Sequence, residues 1–481
     1  MPNKRIRYLA NVIMISLSLV FFALIVIRAQ KLAITHDEAF TYQNYVERPV
    51  KGIVLYRGPA LPNNHILNTL LAKASVKLLG LSTFNLRLPN VLFALVFFWN
   101  AAWLSKNLRT VWSQVCAFLI LSAQVYFFDF FALARGYGMA LALLMASLHH
   151  FYLYLKVNNG NHTYRTLIFA ALAVYANFSF LYVYLGIIAV LPLMAYADGQ
   201  DSKKEWWRLF RAILVVSILL GSAIYVPLRQ ISKMLFGGTS GFWEDTVQSL
   251  LNVMLYHNYS NWLTPLSIGV AVILIGTGVL MIFDAFILKK EKRFFYQPLL
   301  LVLLITAGLQ WVQHTLLGTE YLVARTALSY GLVFLTLIVF VLERMQEPRI
   351  EAWLRNLIFS GVAVLVLINL IDNINLRSTL DWQYDAANKQ LLKDLQKEVR
   401  QEQGETILLG ATWLLEPSLN FYQAHRHSNW LQPIERYQPA EEVNFFALYP
   451  AEDAENEAKA QAENWQLLKT YKNGLELYRL P

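Results

Sequence analysis

The sequence predicts an α-helical polytopic membrane protein with about eleven transmembrane helices, followed by a small α/β domain outside the membrane. Three observations lead there. Of 481 residues, 56% are hydrophobic and only 15% charged, against about 25% charged in soluble domains. Long apolar runs, enough to cross a bilayer core of about 30 Å as helices, recur through the first three quarters of the chain. Basic residues fall in every second short loop, as the positive-inside rule requires. The net charge of +9 therefore reflects membrane topology and not nucleic-acid binding.

The first span, Tyr8 to Ile27, carries no charge and follows Lys4, Arg5 and Arg7. Those cations place the N-terminus in the cytoplasm. No small-residue cleavage site followed by a soluble domain is present, so the span reads as a retained anchor. The next spans are expected at about 84–105, 111–128 and 135–155. Thr166 to Ala197 is uncharged and too long for one helix. It is divided near Asn177, Phe178 and Ser179 into two spans with a tight outer turn. The remaining spans are expected at about 209–228, 262–284, 297–317, 322–342 and 354–371. The inner loops then hold Lys106 and Arg109; Lys156 and Arg165; Lys203, Lys204, Arg208 and Arg211; Lys289, Lys290, Lys292 and Arg293; and Arg344, Arg349 and Arg355. An odd number of spans places the C-terminal region outside. The lone Cys116 admits neither an intramolecular disulfide nor a cysteine metal site.

Three outer segments are long. In the first, residues 29–83, Leu70, Leu71, Ala74, Leu78 and Leu79 share one helical stripe, with Lys73 and Lys77 off it. That pattern suits a helix lying on the membrane surface or an ordinary packed loop helix. The second, residues 230–261, holds Gly237, Gly238 and Gly241 ahead of Phe242, Trp243, Glu244 and Asp245. It reads as a lid that orders on substrate or as a linker. The tail beyond residue 372 alternates a polar helix from Trp382 to Gln403, strands at Ile407–Gly410 and Phe445–Leu448, an Ala/Glu-rich helix from Ala451 to Glu463, and a hairpin around Asn473 and Gly474. Domains are accordingly expected at 1–371, a transmembrane module, and 372–481, an extracytoplasmic α/β domain with a docking or substrate-shaping role.

Charges at or near membrane spans are costly and need a reason. Asp37 and Glu38 emerge just after span 1. Asn63, Asn64 and His65 follow in the first outer loop, and Arg87 enters span 2 between Leu86 and Leu88. Asp129 and Arg135 bracket the outer turn from Phe128 to Gly138, and Arg325 follows Glu320 and Tyr321 at the outer end of a late span. The expected topology puts all of them at the outer face. Arginine forks suit a phosphate, and an acid beside an acceptor can take its proton as a bond forms. Plainer readings stay open for each: solvated charges at a helix end for Asp37 and Glu38, snorkelling for Arg87, a mutual pair for Asp129 and Arg135, and a satisfied loop histidine for His65.

The ordered set of Asp37 and Glu38, Asn64 and His65, Leu86–Arg87–Leu88–Pro89, and Ala134–Arg135–Gly136–Tyr137 resembles the GT-C glycosyltransferases. The resemblance is to their bacterial branch similar to protein O-mannosyltransferases and the aminoarabinose transferase of lipid A. It covers about residues 1–345. It implies that Asp37 is the catalytic base with Glu38 beside it, and that a second outer acid, here Asp129, supports it. It further implies that Arg325 binds the phosphate of a polyprenyl-phosphate sugar, with His65, Arg87, Arg135 and Tyr137 as further substrate-binding positions. Two departures stand out: Leu133 occupies the place where relatives carry an acid, and Ile66 follows His65 where relatives often have proline.

The expected activity is transfer of a hexose or pentose from a polyprenyl-phosphate donor to a lipid, glycan or protein acceptor. It would occur at the outer face of the cytoplasmic (inner) membrane. A divalent metal near Asp37, Glu38 and Asp129 is possible and not required, and no other cofactor is implied. The alternative is a transporter or flippase of a lipid-linked sugar. Gln310, Gln313 and His314 within a span would favour it, and the absence of an evident inverted repeat speaks against it.

Overall fold

The computed structural model describes residues 4–157, 160–197, 202–231, 237–287, 294–345, 352–401, 406–425, 429–436 and 443–481, without the side chains of residues 4–7, 286, 287, 352, 355, 400 and 401. The expected inner cations Lys289, Lys290, Lys292, Arg293 and Arg349 lie outside the described residues, and so do the side chains of Lys4, Arg5, Arg7 and Arg355. The helices up to the tail are α1 (Lys4–Lys31), α2 (His36–Thr41), α3 (Val50–Val54), α4 (Ile66–Leu79), α5 (Thr83–Ser105), α6 (Val111–Ser122), α7 (Val125–Phe131), α8 (Gly136–Val157), α9 (Gly160–Ala176), α10 (Leu181–Ala197), α11 (Lys203–Gln230), α12 (Ser249–Met254), α13 (Leu263–Ile287), α14 (Tyr296–Leu317), α15 (Leu328–Arg344) and α16 (Ala352–Asn373).

All eleven expected spans are helical, and the count resolves into three kinds. Among the described residues nine helices are long and apolar enough to cross a membrane. The fifth expected span, α9, has 17 residues and reaches about 26 Å at 1.5 Å per residue. The third is broken: α6 and α7 form a pair bent by 58°. The break lies at Ala123 and Gln124, where the backbone leaves helical geometry. There the Gln124 side chain donates to the Ile120 carbonyl at 2.7 Å. The bend places Asp129 within α7, all of whose residues are buried, and not in a loop as the sequence suggested.

Pro89 lies inside α5. Proline supplies no N–H to the carbonyl four residues back, which here is Asn85. The Ser75 hydroxyl of α4 donates to that carbonyl at 2.5 Å, so the helix continues with its polar groups met. The loop helix α4 is therefore packed at this point, while Leu78 and Leu79 at its end stay exposed.

The contacts divide the chain into two units. The first comprises Met1–Ile25, Val54–Asn68 and Pro89–Ile374, and the second Val26–Ile53, Thr69–Leu88 and Asn375–Pro481. The second unit thus combines the tail with two segments that supply most of the first outer loop. Its tail contains α17 (Asn388–Gln401), α18 (Glu416–His425), α19 (Ala454–Ala462) and strands β1 (Leu409–Ala411), β2 (Phe445–Leu448), β3 (Gln466–Thr470) and β4 (Glu476–Arg479). The sheet order is β1-β2-β4-β3, with β1 parallel to β2 and the other pairs antiparallel. Gly474, at φ 83°, makes the expected β3–β4 hairpin turn, where an L side chain would be strained. Val443, Phe446, Leu448, Ala460 and Trp465 form the core beneath the sheet. Two expectations shift. The polar helix begins at Asn388 because Trp382 takes a non-helical backbone within a 3-10 stretch, Leu380–Ala387. Ile407 pairs with Leu431 as an isolated bridge and lies outside β1.

Candidate active site

In the second unit, Thr35 opens α2 with a capping box: its hydroxyl accepts the Glu38 amide, and the Glu38 carboxylate accepts the Thr35 amide at 3.0 Å. Two acids in a first helical turn also suit the helix dipole. Glu38 is fully buried. Arg87 reaches it through Nε to Oε1 at 2.8 Å and Nη2 to Oε2 at 2.6 Å. The same guanidinium donates to the carbonyls of Ala29, Leu32 and Ala33 at 3.0, 3.0 and 2.6 Å. Ala29 lies in the last turn of α1 and Leu32 and Ala33 just beyond it, where carbonyls have few helical partners left. Arg87 thus ties the end of α1 to the start of α2. With the Thr35 hydroxyl at 3.2 Å, the Glu38 carboxylate receives four donors, about its full capacity. Asp37, one residue earlier, is half-buried.

Three tail residues join this frame, none of them marked by any local pattern of residues. Asp385 accepts the His36 amide at 2.6 Å. The Tyr422 hydroxyl accepts the Ile34 amide at 2.8 Å, and burial pushes that phenol up to about 12. The Leu414 carbonyl lies 2.6 Å from His36 Nδ1. Burial holds the Asp385 carboxyl well above its usual range against the hydrogen bonds from Ser418 and His36, and the charges of Asp37 and Glu38 add to the rise.

The first unit holds the other expected residues. Asn68 donates to the Ala134 carbonyl at 3.0 Å, Asn90 donates to Asn68 at 2.6 Å, and Asn90 accepts the Met139 amide at 3.0 Å. This chain of amides fixes the Ala134–Arg135–Gly136–Tyr137 stretch. Gly136 is required there: a Cβ would lie 2.0 Å from the Ala176 carbonyl and 2.7 Å from the His65 Cβ. His65 packs edge-on against Tyr137 with ring centroids 5.3 Å apart. Its Nε2 is buried without a hydrogen-bond partner. Burial, and then the charges of Arg135 and Arg325, hold its imidazole well below the usual range. Arg135 donates to the Asn63 side chain.

Arg325 follows Ala324, whose φ of 48° is rare for a residue with a Cβ. Hydrogen bonds hold this turn from the second outer loop: Ser249 accepts the Ala324 amide and Thr246 donates to the Leu322 carbonyl, both at 2.8 Å. The same loop supplies Tyr256, which donates to Asp129 at 2.9 Å. Its φ of 59° is again strained, and such strain persists only where surroundings enforce it. The part of this loop described from Gly237 onward therefore acts as a scaffold for Arg325 and Asp129. The structure thus gathers His65, Arg135, Tyr137 and Arg325 in one unit, and Asp37, Glu38 and Arg87 in the other.

Among the described residues, no group of three or more His, Cys, Asp or Glu side chains is arranged to hold a metal ion. The mid-span polar residues have protein partners: Gln310 accepts from Tyr330, Gln313 accepts from Tyr182, and His314 meets the Thr319 carbonyl.

No family model matches the chain, and no curated protein matches it by sequence. Solved structures do match. ArnT from Cupriavidus metallidurans bound to undecaprenyl phosphate is 13% identical with a TM-score of 0.48, over 97% of each chain. Its apo structure is 11% identical with a TM-score of 0.47, again over 97% of each chain. The arabinosyltransferase EmbB from Mycobacterium smegmatis is 11% identical with a TM-score of 0.39, over 85% of this chain and 42% of that one.

Proposed function

We propose that this chain is an integral membrane glycosyltransferase of the GT-C kind, moving a sugar from a polyprenyl-phosphate donor to an acceptor at the outer face of the cytoplasmic membrane. The observation that carries the reading is the division of labour at α2. Glu38 is buried, paired with Arg87 and saturated, while the adjacent Asp37 is half-buried. A saturated carboxylate is a poor base, and an accessible one held rigidly beside it is a good one. Glu38 and Arg87 are thus positioning residues, and Asp37 takes the acceptor proton.

In the proposed step the acceptor hydroxyl or amine attacks the anomeric carbon as its proton passes to Asp37. The bond from that carbon to the donor phosphate breaks with inversion, and polyprenyl phosphate leaves. Arg325 and Arg135 bind the phosphate and stabilise its growing charge. A neutral His65, with Nε2 unpartnered, adds a hydrogen-bonding group beside those arginines. Asp129, held by Tyr256, supports this side. The acceptor class stays open among lipid, glycan and protein.

The test is purified full-length protein in lipid vesicles with a panel of radiolabelled polyprenyl-phosphate sugars. Asp37→Asn is expected to lower transfer by at least about 100-fold, the usual weight of a general base, at an unchanged melting midpoint. Full activity in that variant removes Asp37 as base. No turnover of any donor, together with movement of lipid-linked sugar that depends strictly on an ion gradient, supports the transporter instead.

A further inference from the structure

Tyr56 is a strained, buried residue that the proposed mechanism does not use. It is 2% exposed, and its φ of 55° lies in the left-handed region that disfavours a bulky side chain. Its surroundings hold it there. The ring packs beside Phe178 with centroids 6.4 Å apart. The hydroxyl donates to the Leu61 carbonyl at 2.8 Å and accepts the Asn64 amide at 3.2 Å. A phenol can do both at once, since it has a proton to give and lone pairs to offer. The Leu61 carbonyl also accepts the Asn63 amide at 2.7 Å. Residues 61–64 are thus folded tightly around one hydroxyl.

That turn carries Asn63, whose side-chain oxygen accepts from Arg135. Beyond it the chain runs through His65, which packs against Tyr137, to Asn68, which donates to the Ala134 carbonyl. One segment therefore meets the Ala134–Tyr137 stretch at three points, and Tyr56 shapes the first of them. Arginine has a long stem with much rotamer freedom to lose, and a guanidinium already held at one N–H loses less of it when it grips a phosphate. The Asn63 contact gives Arg135 such a hold, and the hold depends on where the turn puts Asn63. All of these residues belong to the first unit.

We infer that Tyr56 is a positioning residue for the donor phosphate: its hydroxyl shapes the 61–64 turn so that Asn63 orients the Arg135 guanidinium toward that phosphate. This rests on the reading of Arg135 as a phosphate ligand.

The experiment measures binding of radiolabelled polyprenyl phosphate to full-length protein in lipid vesicles. It compares wild type, Tyr56→Phe, Asn63→Ala and the double variant. Phenylalanine keeps the ring beside Phe178 and removes only the hydroxyl. In Tyr56→Phe the Kd is expected to rise by about 5- to 10-fold, the weight of roughly one neutral hydrogen bond, and in Asn63→Ala by at least as much. The double variant should bind no more weakly than Asn63→Ala, because links of one chain of contacts do not add. With any donor the wild type turns over, KM should rise by the same factor while kcat persists, the mark of lost uniform binding.

Equal Kd values for wild type and Tyr56→Phe overturn the inference and leave the phosphate site standing; a lowered melting midpoint beside equal Kd values assigns Tyr56 to the fold alone. A Tyr56→Phe penalty that persists in full on the Asn63→Ala background overturns the route through Asn63. Wild-type affinity in Asn63→Ala does the same, and that variant reads the link to Arg135 even if Tyr56→Phe fails to fold. A wild type that binds no polyprenyl phosphate removes Arg135 as its ligand, and the inference falls with it.

Discussion

Replacing Arg87 by methionine tests whether the frame around Asp37 is structural. Methionine keeps the unbranched apolar stem of arginine, ending about where its Nε lies, and deletes the guanidinium. The cost follows from five hydrogen bonds, two to Glu38 and one each to the carbonyls of Ala29, Leu32 and Ala33. Both Arg87 and Glu38 are 0% exposed, so water cannot replace what is lost. Removing one partner of a buried ion pair costs about 3–5 kcal/mol, because the other charge is left uncompensated. Three under-satisfied carbonyls add to this, though contacts that share one group do not sum. A total of about 4–6 kcal/mol is expected. Domains of half this length shift by about 2–4 °C per kcal/mol and longer chains by less, so the midpoint should fall by roughly 4–10 °C.

Intrinsic tryptophan fluorescence during a heat ramp is a suitable assay, since Trp382 and Trp465 are buried in the unit that holds Arg87. The double variant Arg87→Met/Glu38→Gln should recover part of the loss, because a buried pair replaced as a whole is far less damaging than one broken in half. Arg87→Lys should fall between, since an ammonium cannot span five acceptors spread around a planar fork. A midpoint for Arg87→Met within about 1 °C of wild type, well below the shift that a broken buried pair predicts, would show that the clasp does not hold α2.

Two further outcomes are expected. His65 is held neutral by burial and by the charges of Arg135 and Arg325; only the unfolded chain binds a proton near pH 6.5, so stability falls as pH drops below that value. His65→Gln should flatten this acid-side fall in melting midpoint, and equal pH slopes in the two proteins would contradict the assignment. Far from the candidate site, Asp284 receives Arg344 at 2.9 and 2.6 Å and the Tyr296 hydroxyl at 2.6 Å. Asp284→Asn should cost about 3–5 kcal/mol in thermal unfolding while kcat measured at low temperature persists; an unchanged midpoint would refute it.

The sequence by itself determined the membrane character, the positions of the spans and the hairpin of the tail. Each depends on local composition or period: an apolar run long enough for a bilayer, an alternation of basic loops, an Asn–Gly turn. It also singled out Asp37, Glu38, His65, Arg87, Arg135 and Arg325, because charge close to a membrane span demands a reason wherever it occurs. It could not distinguish their tasks. Glu38 and Asp37 are neighbours of the same chemical type, and only the path of Arg87 and the cap at Thr35 make one saturated and leave the other half-buried. The bend at Ala123 and Gln124, which moves Asp129 into a helix, depends on one glutamine reaching back to Ile120. Asp385, Tyr422 and Tyr256 carry no local signal at all. Their partners His36, Ile34 and Asp129 lie more than one hundred residues away in the chain. Local sequence sets which segments are helical and which charges are unusual, whereas the saturation of a buried carboxylate is a property of donors that meet only when the chain has folded.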